Sequence, residues 1–371
     1  MRAGAAISRD ESMEAAARAA AVRALAQAGL TQAGALVVAA TIDQLDDAIE
    51  LCAGLRAVAG DGVQIFGGAT SCVGAQGDAE IEDGSALGVL ALERAGHLFC
   101  WRPDQPEELR AAAQQAGPGA LGVVFADPSA PIQRLLAALS REARTVRFAG
   151  GGVEAEGGLL LEDDVVEAGA VGMIFPGPGR VTVAQSQKPI GAPLLVTRAE
   201  GRSLLELDGK PAVQALSKLA DLPGISEGAL AFVALGVSPL PGEAFSEDDF
   251  LSVPLAGVDD DTGAIEVGSP IAEGHSVCFT LRDGMGARRI LEQRLAGLRS
   301  PALPSWGVYF DCASRGTNLY GVEGLDLRLI EKSLGAFPLL SLRTSFELGP
   351  SSGGTGLHLF SGVLALGDAG R

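Results

Sequence analysis

The sequence has few of the residues that build metal centres and disulfide frameworks. Its 371 residues include 3 histidines and 5 cysteines, and no histidine stands in an H-E-x-x-H or similar spacing. The cysteines are odd in number and form no C-x-x-C pair, which excludes a zinc knuckle and a disulfide-stapled scaffold and favours reduced thiols. We therefore predict neither a metal site nor a cofactor.

Positive charge is also scarce. Lysine and arginine total 28 against 46 acidic residues, giving a formal net charge of −18. Without a basic run to offset that charge, a nucleic-acid partner is excluded. The Ala-rich stretch Met13–Ala28 is interrupted by Glu14, Arg18 and Arg23, which is typical of an amphipathic helix and not of a signal peptide or membrane span. We therefore expect a cytoplasmic protein that does not associate with a membrane.

Glycine, in contrast, is abundant, with 51 residues and no Gly-X-Y period, so the glycines are expected at turns and close backbone approaches. The chain length predicts two domains, which we place at residues 1–195 and 196–371. Between the strand patterns lies an insertion-like region around Pro239–Gly242. Just before it, Asp208–Leu219 is predicted to form a helix with Asp208 as its N-cap.

One pattern of strand, helix, strand, Gly-rich turn and strand occurs three times. The copies run over residues 35–92, 120–175 and 306–366. A parallel strand–helix–strand step followed by a hairpin predicts a mixed sheet covered by helices. The predicted fold class is therefore α/β with some α+β character, built from two domains of mixed sheets.

The glycine clusters do not match known nucleotide-binding loops. Gly67-Gly68 lies outside any G-x-G-x-x-G or Walker A pattern, and Gly150–Gly152 precedes an acidic turn where a phosphate site needs a helix N-terminus. No G-x-S-x-G nucleophile elbow is present. Cys312 is a weak nucleophile candidate, because Arg315 could lower its pKa while a neighbouring aspartate opposes this, and a packed structural thiol is the simpler interpretation.

Polar side chains follow two strands that should be neighbours. After the first come Asp311, Cys312 and Arg315, and after the second Thr344, Ser345 and Glu347. Strand ends are where α/β folds place ligands, and a carboxylate beside a guanidinium suits a zwitterionic or carboxylate-bearing small molecule. The alternative is a structural ion pair of Arg315 with Glu347 or Asp311.

These residues carry a resemblance to a known family. The segment Phe310–Gly316 (FDCASRG) resembles the FDCxxRG element of the C-terminal domain of FIST (F-box and intracellular signal transduction) proteins, and Ser341–Pro350 resembles that domain's GFYTxGEIGP element. Gly67–Gly74 is similar to the GCSTAGEI turn of the N-terminal FIST domain, and Gly150–Gly152 to its later glycine turn. The chain departs from the family at Phe346, Arg343 and Val73–Ala75, where the family has glycine, an aromatic residue and the AGEI glutamate.

The resemblance implies a sensory or signal-transduction module that binds a small polar, amino-acid-like ligand and contacts a signalling protein, with no catalytic residue. Its principal site is predicted in the C-terminal half, where Glu347 should face Asp311 and Arg315. The predicted ligand-binding residues are Asp311, Cys312, Arg315, Thr344, Ser345, Glu347, Gly67, Gly68, Thr70, Gly151 and Gly152. Two alternatives stay open, namely a thiol enzyme centred on Cys312 and a ligand-free interaction scaffold.

Overall fold

The computed structural model describes residues 1–10, 12–41, 45, 47–78, 80–82, 84–154, 158–221, 232–259, 261–352 and 354–368. The chain forms helices and several mixed sheets, which confirms the α/β fold class. The first part contains β1 (Ala3–Ser8), α1 (Met13–Ala28), β2 (Ala35–Ala40), α2 (Ala48–Ala59), β3 (Gln64–Ala69), β4 (Val73–Ala75) and β5 (Leu87–Leu92). The second contains β6 (His97–Trp101), α3 (Glu107–Ala116), β7 (Leu121–Ala126), α4 (Ile132–Glu142), β8 (Arg147–Gly152), β9 (Leu159–Leu161), β10 (Asp164–Val166) and β11 (Ala170–Phe175).

The third part begins with β12 (Gly179–Gln185), and in its described residues seven strands, one α-helix and a short 3-10 helix (Lys218–Asp221) follow before the repeat pattern resumes. These are β13 (Gln187–Glu200), β14 (Ser203–Leu207), β15 (Lys210–Pro211), α5 (Ala212–Ser217), β16 (Val233–Val237), β17 (Leu251–Asp259), β18 (Ala264–Val267) and β19 (Ser276–Arg282). The chain closes with α6 (Gly284–Gly297), β20 (Trp306–Cys312), α7 (Thr317–Tyr320), α8 (Leu325–Leu334), β21 (Leu339–Thr344), β22 (Glu347–Ser351), β23 (Gly354–His358) and β24 (Ser361–Gly367).

The recurring unit predicted from the sequence is present three times. Each copy has a four-stranded core, ordered β1-β5-β2-β3, β6-β11-β7-β8 and β12-β24-β20-β21. In each core the last two strands are parallel and the other pairs antiparallel. Each unit also has a leading strand that was not predicted as part of it (β1, β6 or β12). This strand pairs with the last strand of the unit, which is β5, β11 or β24.

The three units exchange strands in a cycle. After its Gly-rich turn, unit 1 adds β4 to β21 of unit 3, unit 3 adds β22 to β8 of unit 2, and unit 2 adds β9 to β3 of unit 1. Rings from all three units meet in the core. Phe125 lies 5.5 Å from Phe310 and 6.0 Å from Phe66 between ring centroids, in edge-to-face geometry, which is favoured for aromatic pairs. The units are therefore interlocked.

Residues 187–282 interrupt unit 3 between β12 and α6. Their strands form one seven-stranded sheet, ordered β13-β19-β16-β17-β18-β14-β15, around a separate apolar cluster that includes Leu204, Leu235 and Ile265. We call this part the inserted sheet. The predicted division of the chain at residue 195 stays a prediction.

Two local expectations can be compared with the structure directly. Helix α1 covers the predicted stretch Met13–Ala28, and Gly29 ends it in the left-handed conformation at φ 63°. The helix predicted over Asp208–Leu219 is shorter and starts after Pro211, and the prediction of Asp208 as N-cap is wrong. Asp208 instead has φ 49° in the turn between β14 and β15. Over the described ranges, no helix is long and apolar enough to cross a membrane.

Candidate functional site

The two strands that carry the predicted polar residues are neighbours. β20 and β21 are parallel and in register, with Asp311 opposite Arg343 and Cys312 opposite Thr344. Their carboxyl ends therefore meet at one sheet edge, as expected. The antiparallel strand β24 lies on the other side of β20, and Asp311, Arg315 and Thr344 are buried.

Arg315 is the centre of a buried hydrogen-bond network. Its side chain is 0% exposed. Nε and Nη2 donate to Oδ2 of Asp326 at 2.9 and 2.8 Å, and Nε lies 3.1 Å from Oδ1 of Asp311. Nη1 donates to Ser186 Oγ at 2.6 Å, and Nη2 to the hydroxyl of Tyr320 at 2.7 Å. All three nitrogen atoms of the guanidinium thus have protein partners.

Electrostatics keep this network ionised at Arg315. Burial, the largest single effect, acts to lower the pKa of Arg315, but Asp326, together with smaller contributions from Tyr309, Tyr320 and Asp311, makes the net shift upward. Burial raises the pKa of Asp311 well above its usual range, and the second carboxylate at Asp326 adds to that rise. Tyr309 donates its hydroxyl to Asp326 at 2.8 Å, which gives this carboxylate a neutral donor besides the guanidinium.

A second guanidinium, that of Arg343, borders the network. Its Nη2 lies 3.1 Å from Glu82 Oε1 and 3.8 Å from Asp311 Oδ2. The backbone of Arg343 is held by Thr70, whose Oγ1 accepts from the Arg343 amide at 2.9 Å. Arg343, which stands where the FIST-like pattern has an aromatic residue, therefore shares in neutralising Asp311.

Glu347 is buried apart from the arginines. Its Oε1 accepts from Thr344 Oγ1 at 3.0 Å, and its Oε2 accepts from the hydroxyl of Ser361 at 2.8 Å and its amide at 3.2 Å. Burial raises the pKa of Glu347 to about 8. Of the two ion pairs considered from the sequence, the one between Arg315 and Asp311 forms, and the hydrogen bonds of Glu347 go to hydroxyl and amide groups.

The predicted glycines lie against protein atoms. A Cβ on Gly151 would come 2.5 Å from Thr344 Cγ2, and one on Gly67 would overlap the carbonyl oxygen of Val38. The amide of Gly152 donates to the Phe346 carbonyl at 2.8 Å. Gly151 and Gly152 require glycine because residues of unit 3 pack there, and Gly67 requires it because the backbone of β2 in its own unit approaches closely.

The other predicted residues lie close to these glycines. A Cβ on Gly68 would overlap the Val153 side chain. Ser345 is exposed and makes two hydrogen bonds to unit 2. Its amide donates to the Gly152 carbonyl at 3.0 Å, and its hydroxyl donates to the Val153 carbonyl at 3.1 Å. Ser345 and Gly152 thus join the turns of units 3 and 2.

The thiol of Cys312 is not activated. Burial raises its pKa to about 12, and the charge of Glu347 adds to the shift. Its described polar contact is with Ser314, whose Oγ lies 3.2 Å from Sγ, while Nδ1 of His358 lies 3.4 Å from Gln185. Since the thiolate is the nucleophile, this geometry does not favour the thiol-enzyme alternative.

One group of possible metal ligands lies beside Arg343. Within the described part of the chain, ligand atoms of Cys72, Glu80 and Glu82 lie within 4.8 Å of one another. The guanidinium of Arg343 already provides a positive charge there through its contact with Glu82, so an additional cation would be repelled. Glu80 has a structural role as well, because it accepts from the Gly324 amide at 2.9 Å.

A cavity of about 370 Å³ lies where the inserted sheet meets unit 3. We call it the junction cavity. Its walls come from β12, from the 248–250 loop before β17, from α6 and from β22 and β23; the polar lining residues are Thr182, Gln185, Asp248, Asp249, Arg294, Ser351 and His358. It contains both carboxylates and a guanidinium, the combination that the sequence predicts for an amino-acid-like ligand.

Gln185 is a buried polar group in the wall of the junction cavity. It is 6% exposed, and its Nε2 donates to the Phe250 carbonyl at 3.1 Å. Among the residues that the structure describes, its Oε1 has no hydrogen-bond partner. Burial lowers the pKa of His358 to about 4, so the imidazole beside Gln185 is neutral at pH 7.

Sequence reasoning missed Asp326, Gln185 and Asp249. A signal existed for Asp326, an acidic residue inside the apolar helix pattern of α8, where it is 3% exposed. Gln185 and Asp249 are far apart in sequence and carry no local motif. They come together because the inserted sheet folds back on β12.

Comparison with known proteins places the chain among signal-transduction-associated domains. The FIST N domain family model matches residues 2–210 and the FIST C domain model residues 212–350. The uncharacterized protein Mb0898c of Mycobacterium bovis is 34% identical over 214 residues, which are 56% of this chain and 55% of that protein. Rv0628c of Mycobacterium tuberculosis, also uncharacterized, is 34% identical over 214 residues, 56% of each. The chain thus spans about half the length of the curated relatives it matches.

Proposed function

Because this chain belongs to the FIST family, whose domains are associated with signal transduction, we propose that it is a sensory module that binds a small polar metabolite bearing an amino group. The ligand lies in the junction cavity, and the signal passes to a protein partner by contact. Direct contact between the ligand and Asp311, Arg315, Thr344 or Glu347 stays a prediction.

The observation that carries the proposal is the unpartnered Oε1 of Gln185. A buried acceptor without a partner costs about 1–3 kcal/mol, and such a group in a native structure calls for an explanation, such as a functional role or a bound water or ion. The orientation of this amide is fixed by its donor bond to Phe250. The ligand should therefore supply an N–H or O–H donor to this oxygen.

The charges around the junction cavity favour an ammonium group as that donor. Asp248 and Asp249 contribute two carboxylates and Arg294 one guanidinium. Arg294 lies 3.5 Å from Asp248 Oδ1, which leaves Asp249 as the excess negative charge. One of its oxygens accepts from the Ser352 amide at 3.0 Å, and a ligand ammonium would make a charge-assisted hydrogen bond to this carboxylate.

The contacts of the cavity wall offer a route from the ligand to the rest of the protein. Gln185 is followed by Ser186, whose Oγ accepts from Arg315 and whose carbonyl accepts from the Asp283 amide at 3.2 Å. Ser186 and Asp283 flank the inserted sheet at its two connections to unit 3. A ligand held by Gln185 and Asp249 would therefore fix the inserted sheet relative to unit 3, which gives a partner two states to distinguish.

A ligand screen with matched variants tests the proposal. The purified protein is assayed for thermal stabilisation by the twenty amino acids, simple primary amines and their des-amino analogues. At least one amine should raise Tm, and its des-amino analogue should not. Asp249→Asn, which preserves the shape of the side chain, should lower the affinity for that ligand at least about tenfold, because one charge-assisted hydrogen bond is lost.

Asp164→Asn, on the exposed edge strand β10, serves as the matched control and should leave affinity unchanged. If no amine stabilises the protein, or if Asp249→Asn and Asp164→Asn bind equally well, the proposal is wrong.

A further inference from the structure

A second cavity lies on the inserted sheet itself and has a different chemistry. It encloses about 260 Å³, and its apolar surface comes chiefly from Ile190, Leu194, Leu207, Leu219 and Phe279. Leu207, Leu219 and Phe279 belong to the core of the inserted sheet. We call it the sheet cavity. An apolar interior of this size suits a ligand smaller than a drug-sized molecule.

An irregularity in the sheet opens this cavity. β13 pairs with β19 at Ile190 and again at Leu194, with a register shift between the two positions. Gly191 in the intervening segment has φ 79°, and residues 191–193 are exposed. Two of these residues line the cavity. Bulges of this kind re-aim strands beside binding sites and are over-represented there.

The polar lining of the sheet cavity is cationic in an acidic protein. The whole chain has four lysines, Lys188, Lys210, Lys218 and Lys332, and two of them, Lys210 and Lys218, line this cavity. Over the described ranges, neither has a carboxylate within ion-pair distance. Among the lining residues that the structure describes, the acidic one is Asp208, whose Oδ1 accepts from the Leu195 amide at 2.8 Å.

We propose that the sheet cavity binds an amphipathic monocarboxylate, such as a medium-chain fatty acid. The alkyl chain packs on Phe279 and Leu207, and the carboxylate lies at Lys210 and Lys218. An apolar interior with cations at its edge matches this chemistry, since each buried methylene tightens binding about fourfold and the carboxylate gains from the lysines without being desolvated. The site is separate from the junction cavity and does not depend on the function proposed for it.

Calorimetric titration with sodium octanoate, butyrate and 1-octanol tests this proposal. Octanoate should bind more tightly than butyrate, because more apolar surface is buried. The double variant Lys210→Met/Lys218→Met should lower the affinity for octanoate about tenfold and leave the affinity for 1-octanol unchanged. The matched control, Lys188→Met/Lys332→Met, removes the same number of lysines outside the cavity lining and should bind octanoate like the unmodified protein.

A cavity-filling variant locates the ligand. Ala215 lines the sheet cavity, and Ala215→Trp should abolish binding of both octanoate and 1-octanol while circular dichroism confirms an intact fold. Absence of binding heat with octanoate would overturn the proposal. So would equal octanoate affinity of the two double-lysine variants, or octanoate binding that survives in a folded Ala215→Trp protein.

Discussion

Replacing Arg315 by methionine tests whether the buried network holds the third unit to the inserted sheet. The substitution leaves the carboxylate of Asp326 buried without the guanidinium 2.8 Å away, and it removes the guanidinium 3.1 Å from the Asp311 carboxyl group. It also removes the donor to Ser186 Oγ. Breaking a buried ion pair from one side costs about 3–5 kcal/mol, a large part of the roughly 5–15 kcal/mol that stabilises a folded domain.

The assay is the free energy of unfolding in urea at pH 7, with circular dichroism as the probe. Arg315→Met should lower it by about 3–5 kcal/mol. The double variant Arg315→Met/Asp326→Leu should recover part of that loss, because no carboxylate is then left unpaired at position 326. Arg288→Met serves as control, since Arg288 is half-exposed and pairs with Glu292 on the same helix; it should change stability by less than about 1 kcal/mol.

Arg315→Met should also affect the junction cavity. Without the guanidinium, Ser186 loses its donor and the adjoining Gln185 is held less firmly, so an amine ligand found by screening should bind more weakly although no contacting residue has changed. A loss of less than about 1 kcal/mol for Arg315→Met would refute the reasoning, because it lies below the range for an uncompensated buried charge. A double variant less stable than the single variant would refute it too.

Three further predictions concern stability and reactivity. Glu347 has a pKa raised from 4.5 to about 8, so its contribution to folding stability is fully present below pH 4.5 and is lost as pH rises through 8. In urea titrations, the stability of the unmodified protein should therefore fall between pH 5 and 9 relative to that of Glu347→Gln. Parallel stability curves for the two proteins would contradict this. Gly151→Ala should cost about 1–3 kcal/mol through the clash with Thr344, whereas Gly62→Ala, which meets nothing within 4 Å, should be nearly neutral by the same measurement. The pKa of Cys312 is raised to about 12 and all five cysteines are buried. Native protein at pH 8 should therefore show no rapid reaction of its thiols with iodoacetamide, as followed by mass spectrometry. Rapid labelling of Cys312 would support the thiol-enzyme alternative.

The repeat architecture was largely predictable because its signals are local. Each unit shows apolar strand runs, a helical period and a glycine-rich turn within one continuous segment, and the structure confirms three copies. The cyclic strand exchange was not predictable from such signals, because β4, β9 and β22 pair with strands of other units. The leading strands β1, β6 and β12 were missed as parts of the unit, since each looks like an ordinary short strand and its partner is far away in sequence.

The candidate site was predictable only in part. Asp311 and Arg315 follow one strand and Thr344 the next, so their proximity could be inferred from parallel pairing, and the structure confirms that pairing. The carboxylate that pairs with Arg315 from another element is that of Asp326 and not, as expected, that of Glu347. This is because α8 packs over the strand ends and its first turn contacts Arg315. The junction cavity could not be inferred, since Asp249 belongs to the inserted part and lies far along the sequence from Gln185 and His358, with which it lines the cavity.

Hydrogen–deuterium exchange shows whether an amine ligand bound in the junction cavity fixes the inserted sheet relative to unit 3. The protein is compared with and without a saturating concentration of the tightest-binding amine from the screen. We expect slower exchange in peptides that contain Gln185–Gln187 and Asp248–Phe250, with first-unit peptides from β1 and α1 unchanged. Slower exchange confined to the first unit, or unchanged exchange at Gln185–Gln187 in the ligand-saturated protein, would contradict it.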